Sequence, residues 1–586
     1  MNTQPLLLEV GCEDLPSSSL KKLGEDFRSQ VLQGLAARSL THGPVSGYAT
    51  PRRLAVLVDD LVTQGASEEQ EALGPPAAQA KAADGAWTRA ALGFAKKLGV
   101  EPEELEYLPT PKGERLGLRQ TVAGQATRAV IRDVFEEAIT SLPVAKRMRW
   151  GAGRFEFARP IQWLVLMYGA ESGFGSIAGH ETGAVTRGHR FHAPQPVVLE
   201  NAGDYAEKLR ELRVVGDFED RCEQIREQVT KTAVSLGATA RIDESLMEEV
   251  ASLVEWPVAL AGSFDKDFLK VPSEALISSM QSHQKYFPVL DRDGNLSPHF
   301  ITVSNIESVD PAQVIAGNEK VIRPRLADTA FFFEQDLKTT LASRVERLDA
   351  VVFQKQLGSL GDKTRRVSGV AVHIAEQIGA DSGLTERAAT LSKADLVSEL
   401  VLEFGELQGV AGAYYARNDG EDDRVADAVQ QHYWPLQAGA PLPESAEGIA
   451  LALADRLDTL VGIFAINQLP SGSKDPFGLR RASIAVLRML TEGRLNLDLR
   501  PLLEFAAQQL PEKLRSEEAV ARVLSYVLDR MPALYESEAV PGDVFRAVRA
   551  TGCSHPFEFS LRVQAVRRFL GRDESVALAA ANKRVS

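Results

Sequence analysis

Two groups of side chains have the types and spacing to do chemistry. In the C-terminal half, Ser392-Lys393-Ala394-Asp395 follows His373 and precedes Asp455 in LALADRLD (451–458). Helical metal-dependent phosphohydrolases use a scattered His, an adjacent His-Asp pair and a distal Asp to hold a divalent ion that activates water. Here the residue before Asp395 is Ala394, which has no donor atom. The pattern therefore reads as the scaffold of that chemistry without its site. In the N-terminal half, Gly188-His189-Arg190-Phe191-His192, with His180 upstream, offers imidazoles. Zinc needs further Cys, His or carboxylate ligands at suitable spacing, and none is present. Phosphate binding or loop packing is the expected role. No GxxxxGK[ST] loop occurs, and Ser471-Gly472-Ser473-Lys474-Asp475 lacks its spacing. A GxGxxG after a strand and a GxSxG elbow are absent too. The reading assigns no catalytic residue and no metal ligand.

Other segments suit RNA. Arg52 and Arg53 stand at a turn before a strand. Arg149 and Arg159, with Arg154 between them, flank a second strand. Arg187, His189 and Arg190 interleave base, glycine and aromatic, which supplies backbone amides and a stacking face together. Lys285 does the same before Val289. Lys320, Arg323 and Arg325 are expected on a turn, and Lys474, Arg480 and Arg481 extend the set into the C-terminal half. Arginine suits phosphate because its planar fork bonds two oxygens at once.

These residues need elements to hold them. Residues 6–10, 54–61, 161–169, 196–200 and 299–306 are β-rich runs bounded by turn residues. Helical spacing covers Leu20–Arg38 and Asp217–Leu236. The stretch 63–90, with Pro75-Pro76 at its centre, reads as a surface excursion. From about Thr329 onward strand signals fade, and helical patterns over 338–379, 384–416, 446–467 and 476–491 predict an all-helical second half. No fixed-period repeat or heptad run occurs. The fold class is multidomain α+β.

With 586 residues, 44% of them hydrophobic, the chain is too long for one core and too apolar for disorder. The formal net charge of −14 argues against a uniform nucleic-acid-binding coat but not against a local basic groove. Residues 146–192 carry seven Arg/Lys against three Glu, and 560–586 carry six against two acids. Residues 393–424 carry three bases against eight acids. Three dispersed cysteines and an N-terminus without a basic start predict reduced, buried thiols in a soluble cytoplasmic protein with no signal peptide or membrane span.

Twelve ordered blocks then carry a resemblance from residue 6 to residue 586: EVGCEDLP (9–16), TPRRLAV (50–56), MRWG (148–151), RGHRF (187–191), EEVASLVEWPVAL (248–260), QKYFPVLD (284–291), SNIES (304–308), GNEKVIRPRLADTAFFFEQD (317–336), FQKQLGSLGDKTRR (353–366), SKADL (392–396), KDPFGLRRA (474–482) and ANKRVS (581–586). Together they resemble the beta subunit of the bacterial heterotetrameric glycyl-tRNA synthetase. The resemblance implies an assembly of two alpha and two beta subunits. In it the alpha chain activates glycine, using ATP and magnesium, and the beta chain handles tRNA. It implies a mixed α/β tRNA-binding body over 1–330 and an HD-like helical domain with a degenerate metal site over 331–500. It also implies a helical anticodon-binding domain that starts at 501 and is expected to be incomplete at 586, so no anticodon contact is assigned to Lys583 and Arg584. No cofactor is expected on this chain itself, and no DNA or membrane partner. The alternatives are an HD-type phosphohydrolase acting on nucleotides and a free-standing RNA-binding scaffold.

Overall fold

The computed structural model describes residues 2–575 apart from 83, 84, 112, 473, 539 and 573. The ANKRVS block, with Lys583 and Arg584, lies outside the described residues. The chain divides into two compact units. One runs through Phe264 and adds His283–Lys320; the other takes Asp265–Ser282 and then Val321 onward.

The first unit is built on the strand Thr3–Cys12. Its run from Leu6 to Cys12 is buried without interruption, as a strand covered on both faces must be. It pairs antiparallel with Arg53–Val62 on one side and Ile161–Tyr168 on the other. Val45–Thr50 extends the sheet beyond the first neighbour, and His180–Gly183 joins the second in parallel. Leu6, Leu8 and Val10 pack into one core with Phe27 and Val31 of the helix Leu20–Ala36 and with Ile131 and Phe135 of the helix Thr127–Thr140. Leu7 faces the opposite core, with Trp163, Val165, Tyr205 and Leu209. Each fully buried leucine here stabilises the sheet by roughly 1.5–3 kcal/mol. A second antiparallel sheet orders Thr239–Ala240, Phe287–Leu290, Leu296–Ser304 and Val258–Ser263.

The stretch read as a surface excursion is part of a small folded module. Glu68–Pro76 pairs with Arg115–Val122, which pairs with Glu106–Leu108. Its helix, Arg89–Leu98, is capped by Thr88 accepting from the Ala91 N–H, and Ala80, Ala91, Ala95, Leu105, Leu116 and Leu118 form a separate core. A strand beginning Glu-Glu-Gln-Glu has low intrinsic β preference, and cross-strand pairing overrides it.

The second unit surrounds the helix Ala446–Ala465. That helix is apolar on most of its circumference, as an enclosed helix must be, and Ser445 caps it by accepting from the Gly448 N–H. Several expectations change here. The half is not wholly helical, because a short hairpin of Val352–Gln354 and Gly358–Ser359 interrupts the 338–379 run before the helix Leu360–Ile378. The 384–416 run is broken as well: the helix Ser382–Leu391 ends before Ser392, and Ala394 and Asp395 open a short 3-10 helix, Ala394–Val397. Gly317–Arg325 is the interior of the helix Pro311–Asp336, with Pro324 inside it, and not a turn. Buried Ile322, Leu326 and Thr329 recur at helical spacing there, and their packing outweighs one missing N–H donor.

Candidate RNA interface

In the first unit, Gly11 lies opposite Trp163 in the sheet register. A Cβ at position 11 would come within 1.8 Å of the indole, so only glycine lets the ring lie across the central strand. Three guanidinium groups gather over that ring: Arg52 at 5.8 Å, Arg53 at 5.7 Å and Arg187 at 5.2 Å from its centroid. Arg53 is wholly buried between two buried carboxylates. It donates to Glu9 Oε1 at 3.1 Å and to the Arg187 carbonyl at 2.7 Å, and its Nε lies 3.4 Å from Glu255 Oε1. Thr186 supports Glu9 at 3.0 Å and Thr50 supports Glu255 at 2.7 Å. Burial pushes the Glu9 carboxyl above its usual range, and Arg53 pulls it partly back. Against the desolvation that lowers it, Glu255 and Glu9 hold the Arg53 guanidinium above its ordinary value.

The RGHRF loop is shaped from within. His189 is buried, and its Nδ1 accepts from the N–H groups of Phe191 and His192, each at 3.2 Å. Burial lowers its pKa and keeps the ring neutral. The tight turn this makes leaves Phe191 70% exposed and Arg190 free to reach Glu13 at 3.1 Å. Beside it, Asp14, Leu15, Pro51, Arg52, Arg190, Phe191, Ser252, Leu253, Glu255 and Asn305 line a cavity of about 170 Å³. Five of the blocks quoted above thus meet at one place. Among the described residues the Arg52 guanidinium has no hydrogen-bonding or ion-pair partner, and its Nε is buried. Burial lowers its pKa, while nearby Glu255 opposes that shift.

The remaining predicted contacts are distributed differently. Arg149 pairs with Glu156 at 2.7 Å across the short hairpin Met148–Arg149/Glu156–Phe157, and Arg154 is exposed on its turn. Arg159 donates to the Ala158 carbonyl at 2.9 Å. Lys285 lies 3.0 Å from Glu249. Lys320, Arg323 and Arg325 are exposed on the helix Pro311–Asp336. In the second unit Lys474 and Arg481 are exposed, and Arg480 donates to the Gly472 carbonyl. Arg53 and His189 are corrections to a surface role: both are fully inside the body, with their hydrogen bonds spent on holding the turn and the loop. Sequence reasoning did not single out Glu9, Trp163, Glu255 or Asn305. A lone acid inside the apolar runs LLLEV and SLVEWPV was the available signal, because a carboxylate is almost never buried without a partner.

The second unit holds a different cluster. Lys393 Nζ donates to His432 Nε2 at 2.8 Å and lies 3.5 Å from Asp455 Oδ2. His432 Nδ1 sits 2.6 Å from the Val429 carbonyl, so that nitrogen carries the proton and Nε2 the lone pair. Lys363 Nζ reaches Thr459 at 2.7 Å, Asp458 at 3.2 Å and Asp455 Oδ1 at 3.1 Å. Asp395 accepts from the Gly409 and Gly412 N–H groups, and His373 stacks on Phe505 at 4.0 Å. These residues do not fit a divalent metal. Two ammonium groups already sit among the carboxylates, the His432 lone pair is occupied, and Ala394 offers nothing. Among the described residues no group of three or more His, Cys, Asp or Glu is arranged to hold a metal.

Burial pushes Asp395 up to about 6, against the backbone N–H groups that favour its charged form. A carboxyl raised in the folded state contributes stability that is full below its unfolded value near 3.8 and is lost as pH rises through about 6. Asp395→Asn is therefore expected to flatten the stability–pH profile by about 3 kcal/mol between pH 4 and 8. Urea titrations across that range check it, and an unchanged slope rejects it.

Among the described residues no helix is long and apolar enough to cross a membrane. The three cysteines are buried and unpaired. Residues 6–550 match the sequence profile of the glycyl-tRNA synthetase beta subunit. The chain is 52% identical over 586 residues to the glycine–tRNA ligase beta subunit of Chromohalobacter salexigens. It is 48% identical over 586 residues to that of Ectopseudomonas mendocina and 47% identical over 588 residues to that of Marinobacter nauticus. Each comparison covers all of this chain and 85% of the relative.

Proposed function

Because the chain belongs to the glycyl-tRNA synthetase beta-subunit family, and is thereby a subunit of an aminoacyl-tRNA synthetase, we propose that its part in glycyl-tRNA synthesis is to bind tRNA(Gly) and position it for glycine transfer in the active site of a partner alpha subunit. The observation that carries this reading is the meeting of five separated blocks around an unpartnered arginine, with an exposed cation, Arg190, and an exposed ring, Phe191, beside it. A guanidinium left without an acceptor in a partly desolvated place is prepared for one from outside. The chemistry is then catalysis by proximity: holding the RNA turns a bimolecular encounter into an effectively unimolecular step. In this reading the assembly is alpha2beta2 and works in the cytoplasm, and ATP and magnesium act through the alpha chain. In this reading the helical unit supplies an HD-like body and an anticodon-binding domain. A phosphohydrolase role gains no support from a cluster already filled by lysines.

Glycylation by the alpha chain alone, this chain alone and the mixture tests the division of labour: only the mixture is expected to charge tRNA(Gly) efficiently. The interface is tested by Arg187→Glu with Arg190→Glu. Their tRNA affinity is expected to fall and the slope of log affinity against log salt to shrink by roughly 1–2. An unchanged slope removes both residues from the interface.

A further inference from the structure

We infer that the cavity beside Arg52 takes one unpaired nucleobase of the bound RNA, stacked on Phe191 and read along its edge by Arg52 and Glu255. This rests on the tRNA-binding reading and names the ligand of that surface. The first support is Phe191. It is 70% exposed at the cavity rim, on a loop that His189 holds from inside. A large ring kept in water by a rigid loop is what a splayed-out base stacks on.

The second support is the polar edge. Arg52 presents a planar fork with no acceptor of its own, and such a fork matches acceptors that stand beside an amine on a base edge, O2 and N3 of cytosine or O6 of guanine among them. Glu255, fixed at Oε1 by Thr50 and Arg53, adds a carboxylate at the same cavity, and carboxylates accept from exocyclic amines. A lone phosphate is disfavoured, because Glu255 and Asp14 repel it. A base that carries an amine beside an acceptor on one edge, cytosine, adenine or guanine, satisfies both groups; uracil has no amine to offer Glu255. The third support is size. About 170 Å³ holds one planar ring, well below the roughly 300–1,000 Å³ of ordinary ligand pockets. The RNA backbone then stays outside, beside Arg187 and Arg190.

The test uses the full chain with its alpha subunit and a tRNA(Gly) transcript. Phe191→Ala is expected to weaken binding about ten-fold while leaving the salt slope unchanged, because stacking releases no counterions. Phe191→Tyr, which keeps the ring, is expected to bind as the native chain does. Arg154→Ala, a change to an exposed cation, is expected to lower the slope instead. In single-stranded oligonucleotides the native chain should prefer oligo-C over oligo-U; Glu255→Gln, whose amide can donate to uracil O4, should narrow that preference, and Arg52→Met should weaken binding of both. Native affinity in Phe191→Ala, a reduced slope in that variant, or equal binding of oligo-C and oligo-U overturns the base pocket alone. A native chain with no salt-dependent tRNA binding overturns the RNA interface as well.

Discussion

Arg53→Met is expected to destabilise the chain by about 3–5 kcal/mol at pH 7, the usual cost of leaving buried charge without its partner. Arg53 is the cation between Glu9 and Glu255; Arg53 and Glu9 are sealed from solvent, and Glu255 is buried except where it borders the cavity. Methionine fills similar volume and removes only the charge and its donors, so the loss measures the network and not a cavity. The deficit should also depend on pH. Burial already raises the Glu9 pKa, and without Arg53 the value rises further. A raised folded-state value means stability is lost as pH rises through it, so the variant recovers as pH falls toward 5. Adding Glu9→Gln should restore part of the loss at pH 7. Urea unfolding at pH 5 and pH 7 decides the matter: a deficit under about 1 kcal/mol, or one that grows on acidification, means the carboxylates do not depend on Arg53.

The second large effect is expected at Lys393→Met, again roughly 3–5 kcal/mol. The ammonium group is the donor to His432 Nε2, a partner of Asp455 and a cation over the Tyr433 ring at 4.1 Å. Its removal leaves a buried lone pair unsatisfied and Asp455 with Lys363 as its one remaining ion pair, supported at longer range by Arg456. Burial lowers the Lys393 pKa, so the group is held at a cost that its partners must offset. Pairing the change with Asp455→Asn should return part of the stability, since both charges then leave together. Denaturant midpoints for the two single variants and the double variant give the coupling. Strict additivity would show that Lys393 and Asp455 are neighbours without being partners.

Much of the first unit was legible in its residues. LLLEV and LAVLVDDL read as buried strands because apolar and β-branched residues fill them, and both lie in the central sheet. The helices from Leu20 and Phe218 follow their spacing closely. What was not legible depended on partners distant in the chain. The small module at 68–122 has a polar strand that only pairing makes a strand. Pro324 looked like a turn residue until Ile322 and Leu326 were seen to anchor the helix around it. Arg52 and Arg53 are adjacent and look equivalent, yet one lines the cavity and the other is sealed inside. Strand alternation points successive side chains to opposite faces, but which face holds two carboxylates was hidden in Glu9 and Glu255, more than forty and two hundred positions away.

The lysines around Asp455 have a consequence for the supply of positive charge. A protein that balances buried acids with a bound ion must acquire it after synthesis, compete for it, and surrender it to a chelator. Lys363 and Lys393 arrive with the polypeptide as it leaves the ribosome. The counter-charge that these two lysines bring to Asp455 is inherited through codons and cannot be stripped from it by a chelator.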